Sequence, residues 1–253
     1  MAILDLGPSV WHDALGIPRG QTPVALVLEG TWWRERATRN RLARLTDVRE
    51  LAFPDMFLGM WNGASIAYCC AYGAARAVEP AHIFAQMGTP LLIQIGTCGA
   101  IDGSLQTGTV MVPDTVCGRD GVSQHYHPAP VLMLDTTGSA TARAGLMRRG
   151  VTVAKGAHLT WPSLFAQSDD ICAEWTAEGL RTVDMEAAAV AAVAARFGRR
   201  AVALLTVWDA LAEGKSFLDP LSDVQSRALA RSDAKIFDAA LDLAVEDARS
   251  RAA

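Results

Sequence analysis

Several features that mark large protein classes are missing from this sequence. Its five cysteines, Cys69, Cys70, Cys98, Cys117 and Cys172, are an odd number without a C-x-x-C pair. That excludes a disulfide framework or a zinc knuckle as the organising device and predicts buried, reduced thiols. No G-x-x-x-x-G-K-[ST] loop, G-x-G-x-x-G fingerprint or H-E-x-x-H segment occurs, so P-loop, dinucleotide and zincin chemistry have no carrier. His12, His125 and His127 lack metal-ligand spacing, and no nucleophile elbow surrounds Ser123. No metal site and no cofactor are therefore expected. A basic tract is also absent: 23 Lys+Arg against 27 Asp+Glu give a net charge of −4, which argues against a dedicated nucleic-acid binder. No run supplies the ~20 apolar residues of a membrane span; the uncharged stretch 56–75 is interrupted by Gly59, Asn62, Gly63, Ser65 and Gly73. The opening MAILDL has no cationic stretch ahead of an apolar one, so no secretory leader is expected and the reading is a cytoplasmic protein.

What is present suits a packed α/β chain. Hydrophobic residues make up 51% and charged residues 20% of 253, enough for a large core and incompatible with disorder. At about 150 residues per domain the length corresponds to ~1.7 domains, and with no linker or repeat the chain reads as one domain over 1–253. Apolar strand-like runs at 24–28, 91–95, 109–112, 151–154, 181–183 and 201–207 alternate with helix-favouring stretches at 34–45, 74–87, 137–149, 187–197 and 221–249. Between them, 56–70 reads as two strands joined at Asn62-Gly63. Pro80 marks a kink or early end within 74–87.

A few segments can carry chemistry, each with a plainer alternative. Gly96-Thr97-Cys98-Gly99-Ala100 follows a buried strand; small residues let backbone N–H groups approach an anion, yet a tight turn explains the segment as well. Gly30 and Arg34 end the first strand either as an oxyanion clamp or as a turn followed by one more surface arginine on a helix carrying Arg36, Arg39, Arg41 and Arg44. Asp184 and Glu186 open an alanine-rich helix, where acidic residues cap the dipole or accept from sugar hydroxyls. Asp209 stands just past a buried strand, a position used for catalysis in α/β sheets and equally for capping a turn.

Together these pieces resemble the hexameric purine nucleoside phosphorylase and uridine phosphorylase family. Three motifs carry the resemblance: Ile95-Gly96-Thr97-Cys98-Gly99-Ala100-Ile101 followed by Gly108-Thr109-Val110, then Val183-Asp184-Met185-Glu186-Ala187-Ala188, then Leu204-Leu205-Thr206-Val207-Trp208-Asp209. Arg119 to Tyr126 is similar to a loop of the uridine branch. Their order and spacing fit from about His12 to the C-terminus.

The resemblance implies a mixed, twisted central sheet flanked by helices, and dimers assembled into a larger homo-oligomer such as a trimer of dimers. It implies nucleoside and phosphate as substrates, with Gly30, Arg34, Thr97 and the position of Gln94 binding phosphate. Arg49 and His12 would serve a neighbouring subunit's phosphate and 5′-hydroxyl. Met185 and Glu186 would hold the ribose. Cys98, Gly99, Leu164, Phe165 and Trp208 would surround the base, and Asp209 would protonate a purine at N7. The chain departs from the family at Gln94, where an arginine is usual, at Thr31-Trp32 after Gly30, and at Trp208, where a small residue is usual. Losing one charge-assisted contact at Gln94 costs roughly 1.5–3 kcal/mol of phosphate binding. The leading expectation is purine nucleoside phosphorolysis; uridine phosphorolysis, hydrolytic cleavage, and nucleoside binding without turnover are its competitors.

Overall fold

The computed structural model describes residues 6–252; all but the last residue of the MAILDL opening lies outside them. In chain order the helices and strands are α1 (Pro8–Leu15), β1 (Ala25–Gly30), α2 (Arg34–Leu42), β2 (Thr46–Glu50), β3 (Met56–Trp61), β4 (Ala64–Cys70), α3 (Ala74–Met87), β5 (Leu91–Ala100), β6 (Val110–Met111), β7 (Thr115–Gly118), β8 (Val131–Met133), α4 (Thr136–Arg148), β9 (Val153–Ala154), β10 (Ala157–Thr160), α5 (Asp169–Ala177), β11 (Thr182–Asp184), α6 (Ala187–Arg196), β12 (Arg200–Ala210) and α7 (Asp223–Ala252).

These strands form one 12-stranded mixed sheet whose main path runs β2-β3-β4-β1-β5-β11-β10-β7-β8. β12 joins it along the other side of β5, with β6 and β9 beyond. β1, β4, β5 and β12 run parallel, and β11 meets β5 antiparallel. β1 is buried along its whole length, as expected of a strand covered on both faces. Its Leu26 and Leu28 face the core under α3 and α6, and Ala25 and Val27 face the core under α4 and α7. The alanine run of α6 is buried residue after residue, because only a thin helix packs closely against the sheet and α3 at once.

The α/β class with a central sheet and flanking helices matches the sequence reading. Several boundaries differ, for physical reasons. Strand 91–95 does not end in a loop at Gly96 but continues to Ala100, because β12 pairs with it throughout. β2 is exposed at every residue; it is an edge strand held by β3 and has no apolar alternation to reveal it. Pro80 neither ends nor splits α3. The hairpin turns at Asn62 and Gly63, both with positive φ, as a two-residue Asn-Gly turn requires.

At the C-terminal end of β1, a buried ion pair and its partners tie four elements together. Arg41 of α2 donates to both carboxylate oxygens of Glu29, at 3.0 and 2.9 Å, and Tyr68 of β4 donates to Glu29 Oε2 at 2.9 Å. The same guanidinium donates to Asp233 of α7 at 2.6 Å. Replacing Arg41 with Met leaves Glu29 buried with only the Tyr68 hydroxyl, which should destabilise the fold by about 3–5 kcal/mol. Removing both charges, with Glu29→Gln added, should recover a large part of that loss. Urea denaturation of the two variants checks the prediction.

Candidate active site

The cleft opens where β5 changes neighbours. β1 pairs with β5 as far as Gly96, and β11 pairs with it only from Gly99. Around Thr97 and Cys98, therefore, one edge of β5 is bare of a partner strand. A cleft occupies this gap, at the C-terminal ends of the parallel strands where α/β sheets commonly bind ligands.

Two glycines permit the close approach on which the floor depends. A Cβ on Gly96 would lie 2.8 Å from the carbonyl oxygen of Gly30, and one on Gly30 would lie 2.5 Å from Glu186 Oε2. Glu186 reaches that position because capping of α6 falls to other groups. Asp184 Oδ2 accepts from the Ala187 N–H at 2.9 Å, and Thr160 Oγ1 accepts from the Ala188 N–H at 2.8 Å while donating to Asp184 Oδ1 at 2.7 Å. His158 Nε2 lies 3.0 Å from Asp184 Oδ1. Asp184 is thus the capping carboxylate. Glu186 caps nothing in its own helix and accepts instead from the Gly73 N–H at the start of α3, at 2.6 Å.

Burial raises the pKa of the two remaining carboxyls. Glu186 is 3% exposed, and desolvation, reinforced by the charge of Asp184, pushes its pKa up to about 8. Asp209, also buried, is raised above the ordinary carboxylate value by desolvation. It sits where the β12 register shifts between Val207 and Ala210, an irregularity that re-aims side chains at a strand end. A Cβ on Gly99 would lie 3.5 Å from Asp209 Oδ2 and 2.8 Å from Leu211 Cδ1, so glycine there keeps the acid's surroundings open.

Aromatic rings line the entrance. Trp33 stacks on Trp208 with centroids 5.1 Å apart and planes 7° from parallel. Trp32 is the hub of a second group, with Tyr72 at 5.9 Å, Phe217 at 5.2 Å and Phe165 at 6.0 Å.

Of the residues singled out in the sequence, the cleft wall gathers Gly30, Thr97, Cys98, Gly99, Leu164, Met185, Glu186, Trp208 and Asp209. Phe165 is 77% exposed and touches the cleft only through Trp32 and Phe217. Arg34, Gln94, Arg49 and His12 lie outside this chain's cleft. Arg34 is held by Asp55 at 2.9 Å on the far side of the Trp33 loop. Gln94, expected at the phosphate, is 1% exposed within β5, where its Nε2 donates to the Ile95 carbonyl at 3.1 Å and its Oε1 has no partner. Exposed Arg49 donates to the Gly16 carbonyl at 3.2 Å. His12 is buried, its Nδ1 donating to the Ile17 carbonyl at 3.1 Å. The sequence reading passed over Tyr72, Gly73 and Phe217; a glycine before a helix is a faint signal, and the two aromatics join the site only through the fold. The ionisable carboxyls lining the cleft are Asp184, Glu186 and Asp209, and among the described lining residues there is no arginine, lysine or histidine.

A family model described as the phosphorylase superfamily matches residues 42–241. Among curated relatives, a guanosine phosphorylase of Halorubrum lacusprofundi is 24% identical over 174 residues, 66% of this chain and 72% of that protein. A DeoD-type purine nucleoside phosphorylase of Bacillus cereus is 31% identical over 132 residues, 51% of this chain and 55% of that protein, so the chain spans about half the length of that relative. A solved uridine phosphorylase of Vibrio fischeri superposes with a TM-score of 0.77 at 19% identity, covering 91% of this chain and 94% of that one; this likeness shows a shared fold.

The raised Glu186 pKa carries a sign. A carboxyl with a pKa higher in the folded than in the unfolded chain stabilises the fold fully below the unfolded value, near 4.5, and loses that contribution as pH rises through about 8. The melting temperature should therefore fall between pH 5 and pH 9, and Glu186→Gln should flatten the fall. A thermal-melt series across that range checks both.

Proposed function

The chain belongs to the phosphorylase superfamily, and from that premise we propose that it is a nucleoside phosphorylase with a purine substrate. It would cleave the N-glycosidic bond with phosphate to give free base and ribose 1-phosphate, without a cofactor. The observation that carries this reading is the pair of buried carboxyls, Glu186 and Asp209, facing one cleft across the small-residue floor of Gly30 and Thr97 to Gly99.

Their environments suit two different tasks. Bond cleavage puts positive charge on the sugar and negative charge on the departing base. A carboxyl whose pKa burial raises is a better proton donor to purine N7 as the bond breaks, which is Asp209's role in this reading. Glu186 accepts from the ribose 2′- and 3′-hydroxyls, whose polar hydrogens favour its anionic form and offset the desolvation that raises its pKa. Met185 covers the sugar. Leu164, Phe165, Cys98, Gly99 and Trp208 enclose the base. Phosphate approaches the anomeric carbon from the Gly30–Thr97 side, where backbone N–H groups and the Thr97 hydroxyl hold it. His12 and Arg49, both away from this chain's cleft, would complete the site of a second copy in a dimer-based assembly.

A second reading, hydrolysis, draws on the cleft's lack of a cationic side chain: water needs no counter-charge, whereas phosphate does. Base release from purine and pyrimidine nucleosides, measured with and without inorganic phosphate, separates the two readings. Phosphorolysis predicts phosphate-dependent release and ribose 1-phosphate as product; phosphate-independent release establishes hydrolysis. Asp209→Asn should lower kcat on purine nucleosides by about 10²- to 10⁴-fold, the usual contribution of a positioned general acid. It should leave the circular dichroism spectrum unchanged.

A further inference from the structure

Behind the Trp33–Trp208 stack lies a second recess, between α2, α7 and the C-terminal ends of β1, β5 and β12. It shares Gly30, Thr31, Trp33, Thr97 and Trp208 with the main cleft, so the two spaces meet at the residues proposed to receive phosphate. The recess side is the richer in unmatched donors. Thr206 is 2% exposed, lines the recess and has no hydrogen-bond partner for its hydroxyl. Burying a hydroxyl in that state is costly unless a ligand satisfies it. The indole N–H of Trp208 is buried and unpartnered as well.

Sheet register places these groups together. Thr206 of β12 is the direct partner of Thr97 of β5 in a parallel pairing, so the two residues are neighbours on the same face, with backbones about 4.8 Å apart. Gly96, one residue before Thr97, pairs in turn with Gly30 of β1. Across three adjacent strand ends the sheet thus presents a glycine pair flanked by two hydroxyls. Charge on the recess side is close to balanced: Arg41 is committed to Glu29 and Asp233. Arg36, whose guanidinium lies over the Trp33 ring at 5.6 Å, also lines the recess. The main cleft, by contrast, carries three carboxyl groups without a cation.

We infer that the tetrahedral oxyanion co-substrate sits at the junction of the two spaces, with Thr206 beside Thr97 as a second hydroxyl donor and Arg36 as the cation supplied by this chain. This assignment rests on the phosphorolytic reading and moves the anion's contacts from the Gln94 and Arg34 positions to the α2–α7 side.

The experiment is a steady-state comparison of wild type, Thr206→Val, Thr206→Ser and Arg36→Gln, with inorganic phosphate and nucleoside varied separately. Thr206→Val should raise the KM for phosphate at least tenfold and leave the nucleoside KM within twofold. Its melting temperature should stay level or rise, because the substitution removes an unsatisfied hydroxyl. Thr206→Ser should restore most of the phosphate affinity, and Arg36→Gln should raise the phosphate KM in the same selective way. A phosphate-dependent enzyme whose phosphate KM is unmoved by Thr206→Val overturns the inference and leaves phosphorolysis standing. If wild-type base release ignores phosphate, the phosphorolytic reading falls by itself. Calorimetric titration of inorganic phosphate into wild type and Thr206→Val then decides this site: equal heats, or none in either protein, overturn it, and heat lost only in Thr206→Val upholds it.

Discussion

A carboxyl group buried among strands must be compensated or protonated, and the C-terminal end of this sheet is arranged around that requirement. Glu29, Asp184, Glu186 and Asp209 are all buried there, and they divide into two kinds. Glu29 has a guanidinium and a phenol on its two oxygens. Asp184 takes a hydroxyl and a helix-terminal N–H. Both are satisfied by the chain and act as structure, one locking α2 and α7 to β1, the other starting α6. Glu186 and Asp209 receive less, and desolvation raises both. The same physics that builds the scaffold with the first pair leaves the second pair chemically poised.

The division also accounts for how much was readable from residues alone. The alternation of buried runs with helices was enough for the α/β class, because burial on both faces writes continuous apolar stretches into β1, β5 and β12. Asp209 was visible as a carboxyl past such a stretch. The ambiguity at Asp184 and Glu186 was not resolvable from spacing, since both stand at a helix start; only the positions of Thr160 and Gly73, distant in sequence, show that Asp184 caps and Glu186 does not. The Glu29–Arg41–Asp233 cluster joins residues up to 204 positions apart (233 minus 29) and left no local signal. Edge strand β2 was missed for the opposite reason, having no buried face to impose a pattern.

Arg34 and Gln94 show the limit of what motif spacing can fix. Each occupies the place in a motif where an anion contact is expected, yet Arg34 is taken up by Asp55 and Gln94 is enclosed within the sheet. Spacing fixes the position of a Cα on a strand or helix, but not whether a nearer carboxylate has already claimed the side chain. Thr206 is the converse case. It looks like an ordinary strand residue in the sequence, and only the register of β12 against β5 makes it the neighbour of Thr97.

The face-to-face indoles of Trp33 and Trp208 have an optical consequence. Two identical chromophores held 5.1 Å apart with their planes nearly parallel share their excited states, so their near-ultraviolet dichroism and emission belong to the pair rather than to either ring. One ring rides on the loop after β1 and the other adjoins Asp209, on opposite walls of the same opening. Any event that parts those walls uncouples the pair, and the entrance thereby reports its own opening without an attached label.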